Sequence, residues 1–438
     1  MSSALKLEKR NIVGLGAFQF MLAVRRGLFY AFLTLYMLEV LKRSFTEAML
    51  VMTLPMLANS ITQSIIWGPR TDYMGKRKPF IIVGETVAGI FFILLTPHAW
   101  SVFTGYDVTD NPTLYAYYLI VGLTILESIW SMSNVAWSAL LADLTVKETR
   151  GLVVGQIYSI EAIGRMFGVF FGGVIYDYPT RAAGFPYLFY MSSAIMFVSV
   201  LVIALAVRET RRVEPTRRNP VGESADFAAK NVLYAFMLAM SMSTLAFASI
   251  FRILNYYLRI ALSASSLEMS MLSNVSSMTQ FAMNPIIGRI SDKKGRVPVL
   301  RVGFLLGVIL PILYIIPRQI IWFIPVSILM GMHRVIFMNV SYSYVADIIP
   351  ENARGKYLGR YNMVETLSFG VLPILTSGIL LDALKSFYSG VGYSGIEVEI
   401  FAIACLSFVS SIISLAGFVV FELHRRVLKT KPIFSAYK

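Results

Sequence analysis

The feature that most constrains the fold of this chain is a succession of apolar stretches, each as long as a membrane-spanning helix. A helix needs about 20 apolar residues to cross a bilayer core about 30 Å thick. Only 15% of the residues are charged, and these lie in short clusters between the apolar stretches. We therefore predict an all-α integral membrane protein with twelve transmembrane helices at residues 12–41, 45–67, 79–97, 113–142, 151–176, 185–207, 229–261, 267–287, 298–316, 319–346, 355–383 and 397–422.

The distribution of lysine and arginine predicts the orientation of these helices. The basic residues behind the net charge of +14 are concentrated in alternate loops, and positively charged loops stay on the cytoplasmic side. Both termini are therefore expected in the cytoplasm, and binding of nucleic acid is not expected, since it needs an accessible basic face. The polar stretch 208–228 is interpreted as a cytoplasmic linker between two six-helix bundles, 1–207 and 229–438, the second ending in a basic cytoplasmic tail.

The chain has few residues of the kinds that bind metals or attack substrates. Cys405 is the only cysteine, and the three histidines, His98, His333 and His424, lie far apart in sequence. No Ser/His or Cys/His arrangement and no metal-ligand spacing is evident. We therefore expect no enzymatic activity, no metal and no cofactor. The first apolar run is too long for a signal peptide and has no small-residue cleavage site, so we expect it to be retained.

The same short pattern, Gly-x-x-x-Asp-x-x-Gly followed by basic residues, occurs after the second and the eighth predicted spans. In each copy the first glycine is expected to let neighbouring helices approach closely, and the second to permit a tight turn. The basic residues are expected to hold the loops on the cytoplasmic side. The first copy consists of Gly68, Asp72, Gly75, Lys76 and Arg77, and the second of Gly288, Asp292, Gly295 and Arg296.

A longer repeat gives the register between the two halves. Asp143 and Arg150 recur as Asp347 and Arg354, and the two members of each pair are 204 residues apart. A constant spacing across a loop and part of a helix indicates an internal duplication, as in many secondary transporters. We assign such repeated residues to movement and gating, and the unrepeated charged residues to the substrate.

The repeated loops, the duplication and the central linker resemble the major facilitator superfamily over nearly the whole chain. The resemblance implies two six-helix bundles around a cavity lined by the first, fourth, seventh and tenth spans, and it implies alternating access. It also implies that Asp72 faces the start of the eleventh span and Asp292 the start of the fifth, which would hold the cytoplasmic side closed. Helix N-termini carry partial positive charge that favours a carboxylate. The alternative is that these loops only set topology and connect helices.

Ionisable residues inside the spans are candidates for the substrate and proton pathway. Each costs at least about 2.5–3.5 kcal/mol at the centre of a transmembrane helix, so it is retained for a reason. Glu85 in the third span is expected to pair locally. The candidates are Arg25, Arg26, Glu127, Glu161, Arg165, Arg252, His333, Arg334 and Glu365.

Glu127 is the predicted counter-ion of Arg25 or Arg26. Adjacent helical residues point about 100° apart, so only one of the two arginines can face a cavity. A Glu–Arg pair that a substrate or a proton can break would couple binding to conformational change. The alternative is a static ion pair that fixes the first span to the fourth.

The remaining intramembrane candidates have structural alternatives. Glu161 and Arg165 are four residues apart on the fifth span and are expected to neutralise each other on one helix face. Glu365 repeats Glu161 in the second half and is a second candidate for a proton site. His333 is able to titrate near neutral pH, or it is simply packed.

The fifth span also carries small residues at every fourth position, which allow helices to pack closely. The pattern resembles the glycine-rich motif of drug–proton antiporters, with Val169 where that motif has a proline. The glycines are Gly164, Gly168, Gly172 and Gly173.

These observations predict a proton-coupled secondary transporter of a small organic solute in the cell membrane, working as a monomer in the lipid bilayer. Four arginines against one glutamate on the cavity helices favour an anionic or zwitterionic solute. The alternatives are a multidrug–proton antiporter, a sugar–proton symporter and a receptor with a transporter fold that moves nothing.

Overall fold

The structure is a computed structural model of a helical protein. Within the described residues the chain forms helices joined by turns and no β-strand, so the all-α prediction is confirmed. Residues 208–222 of the predicted linker and residues 349–359 lie outside the described part of the chain. The structure describes residues 2–74, 76–144, 150–180, 182–207, 223–317, 319–348, 360–361 and 363–430.

The chain divides into two compact units. The first comprises Met1–Pro215 together with Ser265–Asn274, and the second comprises Thr216–Ala264 together with Val275–Lys438. The short segment Ser265–Asn274 therefore belongs with the first unit although it follows part of the second in sequence. The predicted boundaries of two bundles and a linker stay a prediction.

The first unit is built around two long helices that are packed against their neighbours. Its first helix packs against α7 and α8, and α6 packs against α2 and α4. This arrangement brings the charged residues of four helices into one interior. The helices are α1 (Ser2–Glu39), α2 (Phe45–Thr62), α3 (Gly68–Met74), α4 (Lys78–Leu94), α5 (Pro97–Thr104), α6 (Pro112–Leu144), α7 (Arg150–Tyr176) and α8 (Phe185–Ala206).

The second unit is centred on its first and last helices, which pack against each other along much of their length. Its core includes Phe236, Phe304, Phe337 and Phe421, all buried. The remaining helices are α9 (Glu223–Leu262), α10 (Ser266–Lys294), α11 (Arg296–Leu313), α12 (Phe323–Val335), α13 (Ser341–Ile348), α14 (Leu381–Gly390) and α15 (Ile396–Thr430).

Ten helical segments of the described chain are long and apolar enough to cross a membrane, or eleven if α4 and α5 form one bent span. α10 is not among them, although it has 29 residues. Its sequence contains six serines, two asparagines and one glutamine. The membrane prediction is confirmed, whereas the count of twelve stays a prediction.

The predicted helix 79–97 is interrupted before its end. α4 ends at Leu94, and α5 begins at Pro97 at an angle of 67° to it. Thr96 caps the new helix, because its hydroxyl accepts a hydrogen bond of 3.1 Å from the Ala99 N–H. Proline at the first position of α5 needs no N–H partner. The sequence Thr96-Pro97 therefore accounts for the start of a new helix at this point.

Three predicted spans contain π-helical turns, in which one carbonyl per turn lacks its usual partner. Such turns are often found at functional sites. One lies at Gln63–Trp67, directly before α3, and one at Ile336–Val340, directly after α12. Two more occupy Leu367–Val371 and Ile374–Leu380. The first three lie within two residues of candidates from the sequence, namely Gly68, Arg334 and Glu365.

The glycines of α7 allow its backbone to touch that of α1. A Cβ atom at Gly164 would lie 2.6 Å from the Phe20 carbonyl oxygen, and one at Gly172 would lie 2.8 Å from that of Leu28. A Cβ atom at Gly168 would overlap the carbonyl oxygen of Val24. The predicted close packing is therefore confirmed. Gly173 instead faces Ser266 and Ser270 of the segment that belongs with the first unit.

Candidate functional site

The interior of the first unit contains a cluster of charged and aromatic side chains, which we call the charged cluster. α1 contributes Arg25, Arg26 and Tyr30, α4 contributes Glu85, α6 contributes Glu127 and Trp130, and α7 contributes Glu161.

Arg25 is completely buried. Its guanidinium carbon lies 4.9 Å from the ring centre of Trp130, 5.5 Å from that of Phe92 and 5.9 Å from that of Tyr30. No acceptor among the described residues makes a hydrogen bond of good geometry with its three nitrogens. Arginine stays charged even when it is buried. The aromatic faces attract cations, and they therefore replace part of the hydration that the guanidinium group has lost.

Glu85 is also completely buried. Its Oε1 accepts hydrogen bonds from the indole N–H of Trp130 at 2.7 Å and from the Ser133 hydroxyl at 2.6 Å. Its Oε2 has no hydrogen-bond partner among the described residues. The charges that act on it are those of Arg25 first and Arg26 second. The expected local pairing is thus with α6, and sequence reasoning did not place Glu85 in the pathway.

Glu127 is satisfied by uncharged donors. The Tyr30 hydroxyl donates to Oε1 at 2.5 Å, and the Asn59 amide donates to Oε2 at 2.8 Å. The predicted ion pair between Glu127 and Arg25 or Arg26 does not form within the described residues, because the phenol of Tyr30 occupies the position of the cation. Glu127 remains linked to Arg25 through this ring.

Arg26 lies at the open edge of the cluster, with 38% of its side chain exposed. Its Nη1 is 3.9 Å from Oε1 of Glu161, and its guanidinium carbon is 5.3 Å from the ring centre of Trp130. Gln19 donates a hydrogen bond of 2.9 Å to the other oxygen of Glu161. Glu161 also attracts Arg165. The predicted pair within α7 is thus extended to α1, so that one carboxylate serves two arginines.

The candidates of the second unit gather at the first π-helical turn after Glu365. The Arg252 guanidinium donates to the carbonyl oxygens of Phe369 at 2.9 Å and Gly370 at 3.2 Å. The Arg334 guanidinium carbon lies 4.7 Å from the Phe369 ring centre, and its charge acts on Glu365. Arg252 therefore satisfies two carbonyl oxygens in the turn before Pro373, a residue that has no N–H to donate.

His333 is packed between two aromatic rings. The ring centres of Phe247 and Phe337 lie 4.7 and 4.5 Å from that of His333, nearly parallel to it. The histidine is 2% exposed, and neither ring nitrogen has a hydrogen-bond partner among the described residues. This environment favours the packed alternative over a solute-binding histidine.

The second repeated loop is ordered by its own residues. Gly295 has φ +86°, a left-handed conformation that glycine adopts without strain, as predicted for the tight turn. Arg296 forms an ion pair with Asp292 and donates to the Ser291 hydroxyl at 2.9 Å. Asp292, whose carboxylate was predicted to face a helix N-terminus, thus has Arg296 as a partner one turn away.

The expectation that Gly68 and Gly288 allow close helix packing is wrong for the described residues. A Cβ atom at Gly288 would meet no described atom within 4 Å, and one at Gly68 would meet only the carbonyl oxygen of Gln63 in the preceding π-helical turn. In the first loop Lys76 is exposed and Arg77 is buried. Gly75 and Arg354 lie outside the described residues, as do the side chains of Asp72, Asp143, Arg150 and Asp347.

No group of three or more His, Cys, Asp or Glu residues able to hold a metal ion occurs in the described part of the chain. The charged cluster is instead suited to electrostatic recognition. A half-exposed arginine beside a tryptophan ring can bind an acidic group. Of the predicted residues of the first unit, the structure brings Arg25, Arg26, Glu127 and Glu161 together.

Comparison with known proteins gives a consistent family. The sequence matches the family described as Major Facilitator Superfamily over residues 15–259 and 232–435. It is 27% identical over 141 residues to an uncharacterized MFS-type transporter of Methanocaldococcus jannaschii, covering 32% of this chain and 36% of that protein. It is 24% identical over 156 residues to the uncharacterized MFS-type transporter YuxJ of Bacillus subtilis, covering 35% and 34%. The chain thus matches about a third of the length of these relatives.

Solved structures show the same fold at low sequence identity. A bacterial homologue of the human lysosomal transporter Spinster, inward-facing and unoccupied, aligns with a TM-score of 0.76 and 11% identity over 96% of this chain and 97% of its own. The nucleoside transporter NupG aligns with a TM-score of 0.68 and 14% identity over 95% and 99%. At such identities the likeness concerns the fold alone.

Proposed function

The chain belongs to the major facilitator superfamily of membrane transporters, and from this premise we propose that it is a secondary active transporter that exposes its solute site alternately to the two sides of the membrane. Members of this family are transporters rather than enzymes. The relatives leave the solute, the coupling ion and the direction open, so the substrate class is argued from the charged cluster.

The observation that carries the substrate class is the half-exposed Arg26 beside the Trp130 ring. Arg26 is the accessible cation of the cluster, and its nearest carboxylate, on Glu161, is 3.9 Å away, longer than a close charge-assisted hydrogen bond. An acidic group of a solute can therefore approach the guanidinium fork and form two bonds with it. We propose a small organic anion or a zwitterion as the solute.

A zwitterion would find its second partner on the same side of the cluster. Tyr30 lies one turn after Arg26 on α1, and it donates to Glu127. Glu127 and Trp130 lie one turn apart on α6, so Glu127 is placed to attract the ammonium group of a solute whose acidic group is on Arg26. Proton coupling is part of the proposal, because the cluster contains carboxylates buried in the membrane.

A second candidate, export of hydrophobic compounds in exchange for protons, is favoured by one observation. The glycines of α7 that resemble the antiporter motif pack directly on α1, the helix that carries both arginines. A conformational change of this interface would therefore move the cluster. Hydrophobic cations and anions consequently belong in the same test.

The transport test uses the full chain in proteoliposomes with an imposed pH gradient. The labelled probes are lactate, glutamine, uridine, glucose and tetraphenylphosphonium, which represent an acid, a zwitterion, a nucleoside, a sugar and a hydrophobic cation. We expect gradient-driven accumulation of the acid or the zwitterion, and its loss in Arg26→Gln. Accumulation of tetraphenylphosphonium alone would favour the exporter, and binding of a probe without any accumulation would favour a receptor.

We also propose that the chain crosses the cell membrane twelve times, with both termini in the cytoplasm. This topology is supported by the basic loops and tail. In a Cys405→Ser background, single cysteines replacing Ser3 and Ser435 should react with an impermeant maleimide only from the cytoplasmic side. A cysteine replacing Thr109 should react only from outside, and the reverse pattern would contradict the orientation.

A further inference from the structure

Glu85 is the most deeply buried carboxylate of the charged cluster, and it does not contact the proposed solute site at Arg26 directly. Its Oε1 accepts two hydrogen bonds, while Oε2 is buried without a partner among the described residues. An ionised carboxylate that is half satisfied is costly inside a membrane protein. Because Trp130 and Ser133 can donate to the carbonyl oxygen of a neutral acid as well, the site accommodates both protonation states.

The charges around Glu85 come mainly from one helix. α1 contributes Arg25 and Arg26, the two cations that act on the carboxylate. α6 contributes Glu127 besides the two uncharged donors, α5 contributes only His98, and α8 has no acidic or basic residue and no histidine. The ionised form of Glu85 is therefore stabilised by two arginines. Arg25 is completely buried and Arg26 is accessible.

We propose that Glu85 is the site that takes up the transported proton, and that it does so when an acidic group of the solute neutralises Arg26; this rests on the proposed transport of an acidic or zwitterionic solute. A nearby cation favours the ionised form of a carboxyl group. When the solute occupies Arg26, Glu85 loses one of its two supporting cations. A proton from the water then forms the O–H bond on Glu85 and is later released to the other side.

This coupling keeps the charge of the membrane interior constant. The acidic group of the solute adds one negative charge, and the proton on Glu85 adds one positive charge. For a solute with an acidic group and no ammonium group, the loaded cluster therefore carries the same net charge as the empty one, so the costly movement of an extra charge through the low-dielectric interior is avoided. One proton accompanies each acidic group by this mechanism.

Glu127 is less suited to this task, although it is the more obvious residue in the sequence. Both of its oxygens are bonded to donors, Tyr30 and Asn59. Each oxygen of Glu127 therefore already accepts a hydrogen bond, whereas one oxygen of Glu85 accepts none among the described residues. Glu85 keeps one oxygen available for the proton.

The test is infrared difference spectroscopy of the full-length protein in lipid bilayers, with pH steps and no solute. A protonated buried carboxyl group gives a C=O stretching band that disappears when the group ionises. We expect this band in the wild type and its absence in Glu85→Gln. Glu47→Gln, which can keep the capping interaction at the start of α2, should retain it. Arg26→Gln imitates the occupied site, because it removes the charge of Arg26. In this variant the pH at which the band disappears should rise by about one unit.

Three results would overturn the inference: persistence of the band in Glu85→Gln, its loss in Glu127→Gln but not in Glu85→Gln, or an unchanged pH of ionisation in Arg26→Gln. If Glu85→Gln does not fold, Glu85→Asp replaces it and should give a band at a shifted frequency. An unshifted band in Glu85→Asp would assign it to another residue. Because no solute is present, the spectra test Glu85 even if none of the transport probes is moved, so the two proposals can fail separately.

Discussion

The indole N–H of Trp130 donates to Glu85 at 2.7 Å, while the centre of the same ring lies 5.3 Å from the guanidinium carbon of Arg26. One side chain therefore contacts the buried carboxylate and the accessible cation. A change at Trp130 therefore reaches both charged groups.

Replacing Trp130 by phenylalanine should remove the hydrogen bond to Glu85 and keep an aromatic ring. A hydrogen bond to a charged group contributes about 1.5–3 kcal/mol, so we expect a clear fall in the thermal unfolding temperature. Trp137→Phe on the same helix is the matched control, because the indole N–H of Trp137 is buried without a hydrogen-bond partner among the described residues. Equal effects of the two changes would show that the Glu85 bond contributes nothing.

Alanine at Gly168 should force α1 and α7 apart, because its Cβ atom would overlap the carbonyl oxygen of Val24. Overpacking of this kind costs about 1–3 kcal/mol or more. Gly288→Ala is the control for a helical glycine, since the added methyl group would meet no described atom within 4 Å. Thermal unfolding in detergent measures both variants, and an unchanged Gly168→Ala would contradict the close contact.

Replacement of Arg252 by glutamine should loosen the π-helical turn that begins at Leu367. The variant loses two charge-assisted hydrogen bonds to the carbonyls of Phe369 and Gly370, each about 1.5–3 kcal/mol. We expect faster amide hydrogen exchange in peptides covering 367–380, measured by mass spectrometry in nanodiscs. Lys385→Gln breaks the ion pair with Glu399 instead and should leave that region unchanged. Equal exchange in both variants would contradict the stabilisation of this turn by Arg252.

Breaking the ion pair between Asp292 and Arg296 separates stability from gating. The Asp292 side chain is 64% exposed, and such surface pairs contribute about 0–1 kcal/mol. Asp292→Asn should therefore leave the unfolding temperature nearly unchanged and reduce transport if the repeated loop acts as a gate. Glu422→Gln, which removes the partner of Arg301, is the control. Normal transport by Asp292→Asn would leave the loop with a role in topology only.

Much of the fold could be predicted because it follows from one-dimensional patterns. Apolar length predicts membrane spans, and glycine at every fourth position predicts close helix packing, although not that α1 is the partner. The sequence Ser44-Phe-Thr-Glu47 matches the capping-box pattern, and the structure contains that capping box. These signals are local or periodic. The break at Thr96-Pro97 belongs to the same class, although the length of the apolar run concealed it.

The partners inside the site could not be predicted in the same way. The sequence suggests that a glutamate near an arginine forms an ion pair, but an uncharged tyrosine satisfies Glu127, and Glu161 reaches a different helix. The donors of Glu85, Trp130 and Ser133, lie about 45 residues away in sequence, so no local pattern indicates them. Which donor wins depends on the rotation of α4 and α6 about their axes, and hydropathy carries no information on that rotation.

The backbone contact between α1 and α7 has a consequence for selectivity. Helices that touch through glycines lose that contact when they separate, so for the proposed transport of an acidic solute we expect Arg26 on α1 and Glu161 on α7 to move as one unit. Their ion pair is then not a latch that opens during the cycle. Under the proposed function Glu161 competes with the solute for Arg26, so only a solute whose acidic group binds Arg26 more favourably than Glu161 does is accepted.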